Sequence, residues 1–415
     1  MLRLDDHEQA MLAGVEGRAR QWAMQQLIQV GRFFDAKDLV KVSQVHLMAD
    51  TEALGEEGIR FLEGIAAYPE AERRVRVPTV TDPRGADFAA YRRIRQKEEF
   101  VALEKRAADA LRSLGILMTD TCINYQTILP PVKGEHLAFG DTGSTIYANS
   151  VLGARTNFEG GPSALSAALT GRVPRYGFHL DEHRRGTTRF AVEARLADYS
   201  DWGALGAVIG RRMRSYFEVP VVEGIASAPT SDQIKHFGAA LASYGSTPLF
   251  HMVGVTPEAG RLSDVIDDRA PAISITDADL AAYRTSLTPV DDTLHVVVFA
   301  APQLSLIELQ QLGTLLDGRT VHPSVSLIAT TSPEIKSAAD RLDITRKIDG
   351  AGGILLQGVC FYQMHAREIG EANGWRRLMS NSAKLVNILG GYNYETVLGS
   401  MEACVESAVA GRIVA

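Results

Sequence analysis

Long apolar runs, cysteine and an excess of basic charge are all scarce in this chain. No stretch of about 18 uninterrupted apolar residues occurs, the length a membrane-spanning helix needs. The N-terminus, MLRLDDHEQAML, carries acids where an export signal needs an apolar run. The three cysteines, Cys122, Cys360 and Cys404, are too few and too far apart for a secreted disulfide framework. These features lead us to expect a cytoplasmic protein whose reduced thiols are available as ligands, with no membrane partner. Basic residues number 43 against 50 acidic ones, a net charge of −7, and no long basic run occurs. That balance argues against a nucleic-acid partner. Arg211, Arg212 and Arg214 read as a solvated helix face.

Generic catalytic motifs are also missing. There is no Walker-type phosphate loop and no nucleophile elbow. Gly203, Gly206 and Gly210 have the wrong spacing for a dinucleotide fingerprint and read as close helix packing. His179-Leu-Asp-Glu182-His183 formally matches an HxxEH zinc pattern. Gly177 before it and Arg184-Arg185-Gly186-Thr187-Thr188 after it read instead as a loop entering a strand.

What is present is an ordinary globular composition, 46% hydrophobic and 22% charged over 415 residues. That length suits two or three domains, or one large α/β body. Helical periodicity covers residues 6–30 and 51–67, with Asp50 or Thr51 as the cap. A turn-rich segment at 77–85 precedes a charged helical pattern at 88–114. From 115 to about 186, glycine, proline, serine and asparagine are threaded with apolar residues, a texture expected of a functional region. Buried strands are then expected at 248–253, 294–300, 325–329 and 353–357, with helices at 305–316 and 332–343. This alternation predicts an α/β fold with largely parallel sheets. The expected division is a helical N-terminal part (1–114), a loop-rich motif region with α/β structure (115–290) and a C-terminal α/β part (291–415).

One stretch is specific. Tyr147-Ala-Asn149-Ser150-Val-Leu-Gly153-Ala-Arg155-Thr156-Asn157-Phe-Glu159-Gly160-Gly161 lies within residues 119–185, a segment that closely resembles the aconitase X family. The likeness extends upstream to Val77-Pro78-Thr79 and downstream through the segment from His251 to Ala259. It continues to Asn381-Ser382-Ala383-Lys384 and Cys404, so it spans nearly the whole chain. The resemblance implies an aconitase-like multi-domain α/β/α architecture. It implies a hydro-lyase (dehydratase) acting on a small hydroxy acid, for example a hydroxyproline-type cyclic amino acid. It also implies a small swivelling domain, which this chain lacks and a separate small subunit would supply.

Dehydration needs a base for the proton beside a carboxylate and an acid for the departing hydroxide. Lys384, His136 and Glu135 are the candidate proton-handling groups. Arg155 offers a bidentate fork for the carboxylate of a small-molecule substrate. Ser144, Asn149, Ser150, Thr156 and Asn157 offer neutral donors, whereas His251 reads as a strand-end residue. In aconitase relatives a serine of the swivelling domain is the base, and by that likeness the base lies on another chain.

By the same resemblance, three cysteines hold an iron–sulfur cluster. Cys122 and Cys360 match the first and third. Ala301 stands at the second, and Gln303 stands where the family has histidine. Three arrangements remain open: a cluster with a substitute ligand such as His365 or a partner-chain residue, a single divalent metal at Cys122 and Cys360, or no metal. Cys404 matches a family position that is not a ligand. The alternative functions are a cluster-free homologue catalysing isomerisation or another acid–base elimination in a specialised biosynthetic pathway, and a non-catalytic binding subunit.

Overall fold

A computed structural model describes residues 2–414. It contains fourteen strands in three parallel sheets and one antiparallel pair. The pair joins β1 (Leu39–Lys41) to β5 (Arg172–Pro174). The first sheet has the order β3 (Thr79–Thr81), β2 (Val45–Leu47), β4 (Ala138–Phe139). The second comprises β6 (Thr188–Val192), β7 (Pro220–Glu223), β8 (His251–Met252) and β9 (Ala272–Ile275), in the order β8-β7-β6-β9. The third comprises β10 (Val296–Phe299), β11 (Ser326–Thr331), β12 (Ile354–Gln357), β13 (Arg377–Ser380) and β14 (Glu395–Leu398), in the order β12-β11-β10-β13-β14.

The third sheet follows directly from composition. Its inner strands, β11, β10 and β13, are buried along nearly their whole length on both faces, as parallel strands covered by helices must be. Helices Leu306–Leu316, Ile344–Gly350 and Met401–Ala410 supply one apolar layer with Leu309, Ile348 and Cys404. Cys360, Phe361, Leu385 and Ala301 belong to a separate core cluster that packs against Val296, Val298 and Ile328. In the second unit, helix Tyr199–Gly210 packs closely on helix Ser231–Gly245. A side chain at Gly206 would collide with the Phe237 carbonyl, and one at Gly210 would meet Tyr244 Cβ at 2.9 Å. The spaced glycines therefore serve helix packing, as their spacing predicts.

Three expectations need correction. The pattern at 6–30 is two helices, Asp6–Leu12 and Arg18–Phe33, separated where Gly14 and Gly17 take φ of 81° and 98°. Left-handed backbone of that kind interrupts a helix, and glycine adopts it readily. The part read as helical also contributes β1, β2 and β3, and the turn-rich segment at 77–85 contains β3. The boundary expected at 114/115 runs inside one sheet, because β2 and β3 precede it and β4 follows it. Among the described residues, no helix is long and apolar enough to cross a membrane.

Candidate active site

In open parallel sheets, functional groups gather where strands deliver their carboxyl ends. Here two sheets do so together. Asp82 follows β3, and Asp141 follows β4. Cys360 follows β12, Ala301 follows β10, and Lys384 sits in the first turn of the helix after β13, Ala383–Leu389. Cys122 follows a segment that runs beside β3, with the Thr121 N–H donating to the Thr81 carbonyl at 3.0 Å.

The centre of the cluster is a buried ion pair. Lys384 Nζ lies 3.2 Å from Asp141 Oδ1, with the two side chains only 3% and 2% exposed. Asp141 also caps helix Thr142–Ser150, its Oδ2 accepting from the Ser144 N–H at 2.8 Å. Burial pushes the Asp141 carboxyl up, but the Lys384 ammonium and the Ser144 amide outweigh it and hold the group below its ordinary range. Burial likewise lowers Lys384, and Asp141 with the two cysteines nearby raises it above the ordinary ammonium value. The Lys384 ammonium also sits 5.7 Å from the centre of the Tyr362 ring.

Around this pair lie neutral polar groups. Asp82 is pushed well up by burial and by the Asp141 charge, which favours its neutral acid form. Gln363 Nε2 donates to Asp82 Oδ2 at 2.7 Å. Burial lowers the His46 imidazole, which is therefore uncharged. Its Nε2 lies 2.8 Å from the Thr121 carbonyl, which only accepts, so Nε2 carries the proton and Nδ1 is bare. Asp82 Oδ1, His46 Nδ1, Gln363 Oε1 and Asn124 Nδ2 are buried without a hydrogen-bonding partner among the described residues. Unpaired buried polar atoms call for a reason, and a catalytic or binding role is one such reason.

Of the residues singled out from sequence, Cys122, Cys360, Lys384 and Ser144 come together here. Ser144 Oγ donates to the Cys122 carbonyl at 3.1 Å and to Asn124 Oδ1 at 2.9 Å. Burial and the neighbouring Cys360 thiol push Cys122 well above the ordinary thiol range. The others lie elsewhere or are committed to the scaffold. Glu135 and His136 stand at the start of β4, whereas Asp141 lies beyond its other end. Glu135 accepts from Ser43 and from the Val132 N–H. His136 Nδ1 meets His179 Nδ1 at 2.9 Å, and Arg155 pairs with the exposed Asp181. Asn149 Nδ2 donates to the Thr156 and Pro248 carbonyls, each at 2.8 Å, while its Oδ1 accepts from the Thr156 N–H. Thr156 Oγ1 accepts from the Phe139 N–H at 3.1 Å. Asn157 ties the Tyr176 carbonyl to the Phe178 N–H, and Ser150 Oγ accepts from the Phe250 N–H. His251 bonds the Arg184 carbonyl at the start of β8.

His46, Asp82, Asp141, Tyr362 and Gln363 escaped sequence reasoning. Asp141 alone left a signal, as an N-cap followed by Thr-Gly-Ser.

The chain matches the family descriptions Aconitase X first domain over residues 1–182, second domain over 186–285 and third domain over 294–410. This chain belongs to the aconitase X family. Among its aconitase X relatives, the phosphomevalonate dehydratase large subunit of Methanothermobacter thermautotrophicus is 34% identical over 94% of each chain. The cis-3-hydroxy-L-proline dehydratase of Pseudomonas aeruginosa is 32% identical over 99% of this chain and 70% of the relative. The crystal structure of Thermococcus kodakaraensis aconitase X in its holo form superposes with a TM-score of 0.87, at 30% identity over 98% of this chain and all of that one. These relatives place the chain among enzymes of the lyase class, as a dehydratase.

The iron–sulfur cluster that the family likeness implies can be tested against the side chains present. Cys122 and Cys360 supply two thiols. Cys404 packs against the opposite face of the third sheet from Cys360. His365 is turned away, its ring stacked on Phe100 with centroids 3.7 Å apart. The HxxEH segment forms two short 3-10 turns, Gly177–His179 and Asp181–Arg184. Among the described residues, no group of three His, Cys, Asp or Glu side chains is placed to hold a metal ion. Cluster iron is held mainly by cysteine thiolates, and this donor set does not fit it.

Proposed function

We propose that the chain is the large subunit of a dehydratase that removes water from a small hydroxy acid at the Lys384–Asp141 corner. The observation that carries this reading is the convergence of Lys384, Asp141, His46, Asp82, Cys122 and Cys360 at the facing carboxyl ends of two parallel sheets. Lys384 supplies the positive charge for the substrate carboxylate. It also stabilises the negative charge that grows on that carboxylate as the neighbouring C–H is lost. The bare Nδ1 of His46 takes this proton. Asp82, held protonated, gives its proton to the departing hydroxyl, so the leaving group is water. Cys122, its thiol pushed well up by burial, and Cys360 line the corner.

The first substrate reading is a hydroxyproline-type cyclic amino acid, supported by the Pseudomonas relative. Phosphomevalonate is the second, favoured by the near-complete length match to relatives that are large subunits. A separate small subunit accompanies the chain in both readings. The test incubates the chain, alone and with a candidate small subunit, with cis-3-hydroxy-L-proline and with phosphomevalonate. Loss of water from one of them, abolished in His46→Gln and Asp82→Asn, is the expected result. A panel of hydroxy acids left unchanged in the presence of the small subunit sinks the proposal.

A further inference from the structure

The segment carrying Ala301 is fastened at every step. Ser382 Oγ donates to the Ala301 carbonyl at 2.6 Å, and Thr331 Oγ1 donates to the Leu304 carbonyl at 2.7 Å. Between them, Gln303 is fully buried and touches both cysteine segments. Its Nε2 lies 3.1 Å from the Asp120 carbonyl, 3.2 Å from that of Thr331 and 3.1 Å from that of Val359. Its Oε1 accepts from the Cys122 N–H at 3.3 Å, and its own N–H donates to Cys122 Sγ at 3.3 Å. The Gln303 carbonyl in turn accepts from Lys235 Nζ at 3.3 Å. One side chain therefore ties the residues before Cys122 to the residue before Cys360 and to the end of β11.

A structural metal normally does this work by drawing separate segments onto one centre, so that its binding energy becomes folding energy. Here the polar groups flanking the thiols are already satisfied by an amide, and no third acidic or imidazole ligand joins the thiols. We infer that Gln303 is the cross-link that holds the two-cysteine corner together, and that this chain takes no iron–sulfur cluster. The inference deepens the proposed dehydratase reading, since proton transfer among side chains must then carry the elimination. Gln303 acts here as a positioning residue.

The test needs no turnover, so a failed dehydratase assay and a failed inference are told apart. Wild-type chain is incubated without oxygen with ferrous iron, sulfide and a thiol reductant, then desalted and assayed for iron and acid-labile sulfide. Both are expected at background. In parallel, alkylation of each cysteine by iodoacetamide is followed by mass spectrometry in wild type, Gln303→Met and Gln303→Glu. Opening of the corner is expected to raise the rates at Cys122 and Cys360 on the order of tenfold in at least one folded variant, with Cys404 unchanged. Near-stoichiometric iron and sulfide in the wild type overturns the inference. So do unchanged rates at Cys122 and Cys360, and so does a rise shared equally by Cys404, which reports global loosening. If neither variant folds, the wild-type iron and sulfide content decides alone.

Discussion

Replacing Lys384 by Met removes the ammonium from a pair that is 3.2 Å apart and almost wholly buried. The Asp141 carboxylate is then left with the Ser144 N–H at 2.8 Å and no cation in contact. Breaking one side of a buried pair costs about 3–5 kcal/mol. Because Asp141 can take up a proton once Lys384 is gone, the lower end, about 3 kcal/mol, is expected at pH 7. Asp141→Asn in the same background removes the stranded charge, and the double variant should lie within about 1 kcal/mol of wild type. Asp141→Asn alone strands the buried Lys384 ammonium and should cost a similar amount, so the coupling between the positions is about 5 kcal/mol, read by urea unfolding in a double-variant cycle. Its pH dependence has a definite sign. Asp141 is lowered, so its contribution is present above the ordinary carboxylate range and lost as pH falls through its depressed value. Lys384 is raised, so its contribution is present below the ordinary ammonium range and lost as pH rises through its elevated value. The coupling should be flat between about pH 5 and 9. A coupling below about 0.5 kcal/mol at neutral pH would refute the pair as the organising charge of the site.

Glu104 and Asp50 are pushed up to about 7 and about 6, chiefly by burial. Stability they contribute is complete below the ordinary carboxylate range and lost as pH rises through those values, and Glu104→Gln should flatten the fall in unfolding free energy between about pH 5 and 8. Glu308, held at about 2 against the cost of burial by Lys235 and His236, clamps helix Leu306–Leu316 to helix Ser231–Gly245. Glu308→Gln leaves the buried Lys235 ammonium with Asp232, 3.0 Å away, as its remaining carboxylate and should cost about 1.5–3 kcal/mol, seen as a lowered urea midpoint; a change under about 1 kcal/mol counts against the clamp. Ala301→Cys adds a third thiol to the corner. Cobalt(II) should then give a sulfur-to-metal absorption band in this variant that the wild type lacks, and equal spectra would show that position 301 does not face the other two cysteines.

Three strands of the third sheet were legible because each is a compact, largely apolar run, whereas Arg377–Ser380 and Glu395–Leu398 open on charged residues and gave no such signal. The segments 294–300, 325–329 and 353–357 contain or overlap the observed Val296–Phe299, Ser326–Thr331 and Ile354–Gln357. The first sheet was not, because three-residue strands such as Val45–Leu47, with a buried histidine at the centre, carry no alternation to detect. At the site, Cys122, Cys360 and Lys384 were found through motifs. Asp82 and His46 are single residues in unremarked surroundings, and only the fold brings them beside Lys384. The motif from Tyr147 to Gly161 has a structural part that the sequence did not reveal. Its asparagines and Thr156 bond backbone groups of neighbouring loops and so also hold the loops around Asp141 and Ser144.

The central claim is that the Lys384–Asp141 corner performs the dehydration. It is tested most directly by following substrate by proton NMR with the chain and a candidate small subunit, comparing wild type with the folded Lys384→Met/Asp141→Asn variant. The account predicts that wild type converts a hydroxyproline-type acid or phosphomevalonate to the unsaturated product, and that the variant, folded as wild type, forms no product. Product formation by the variant at the wild-type rate would contradict it.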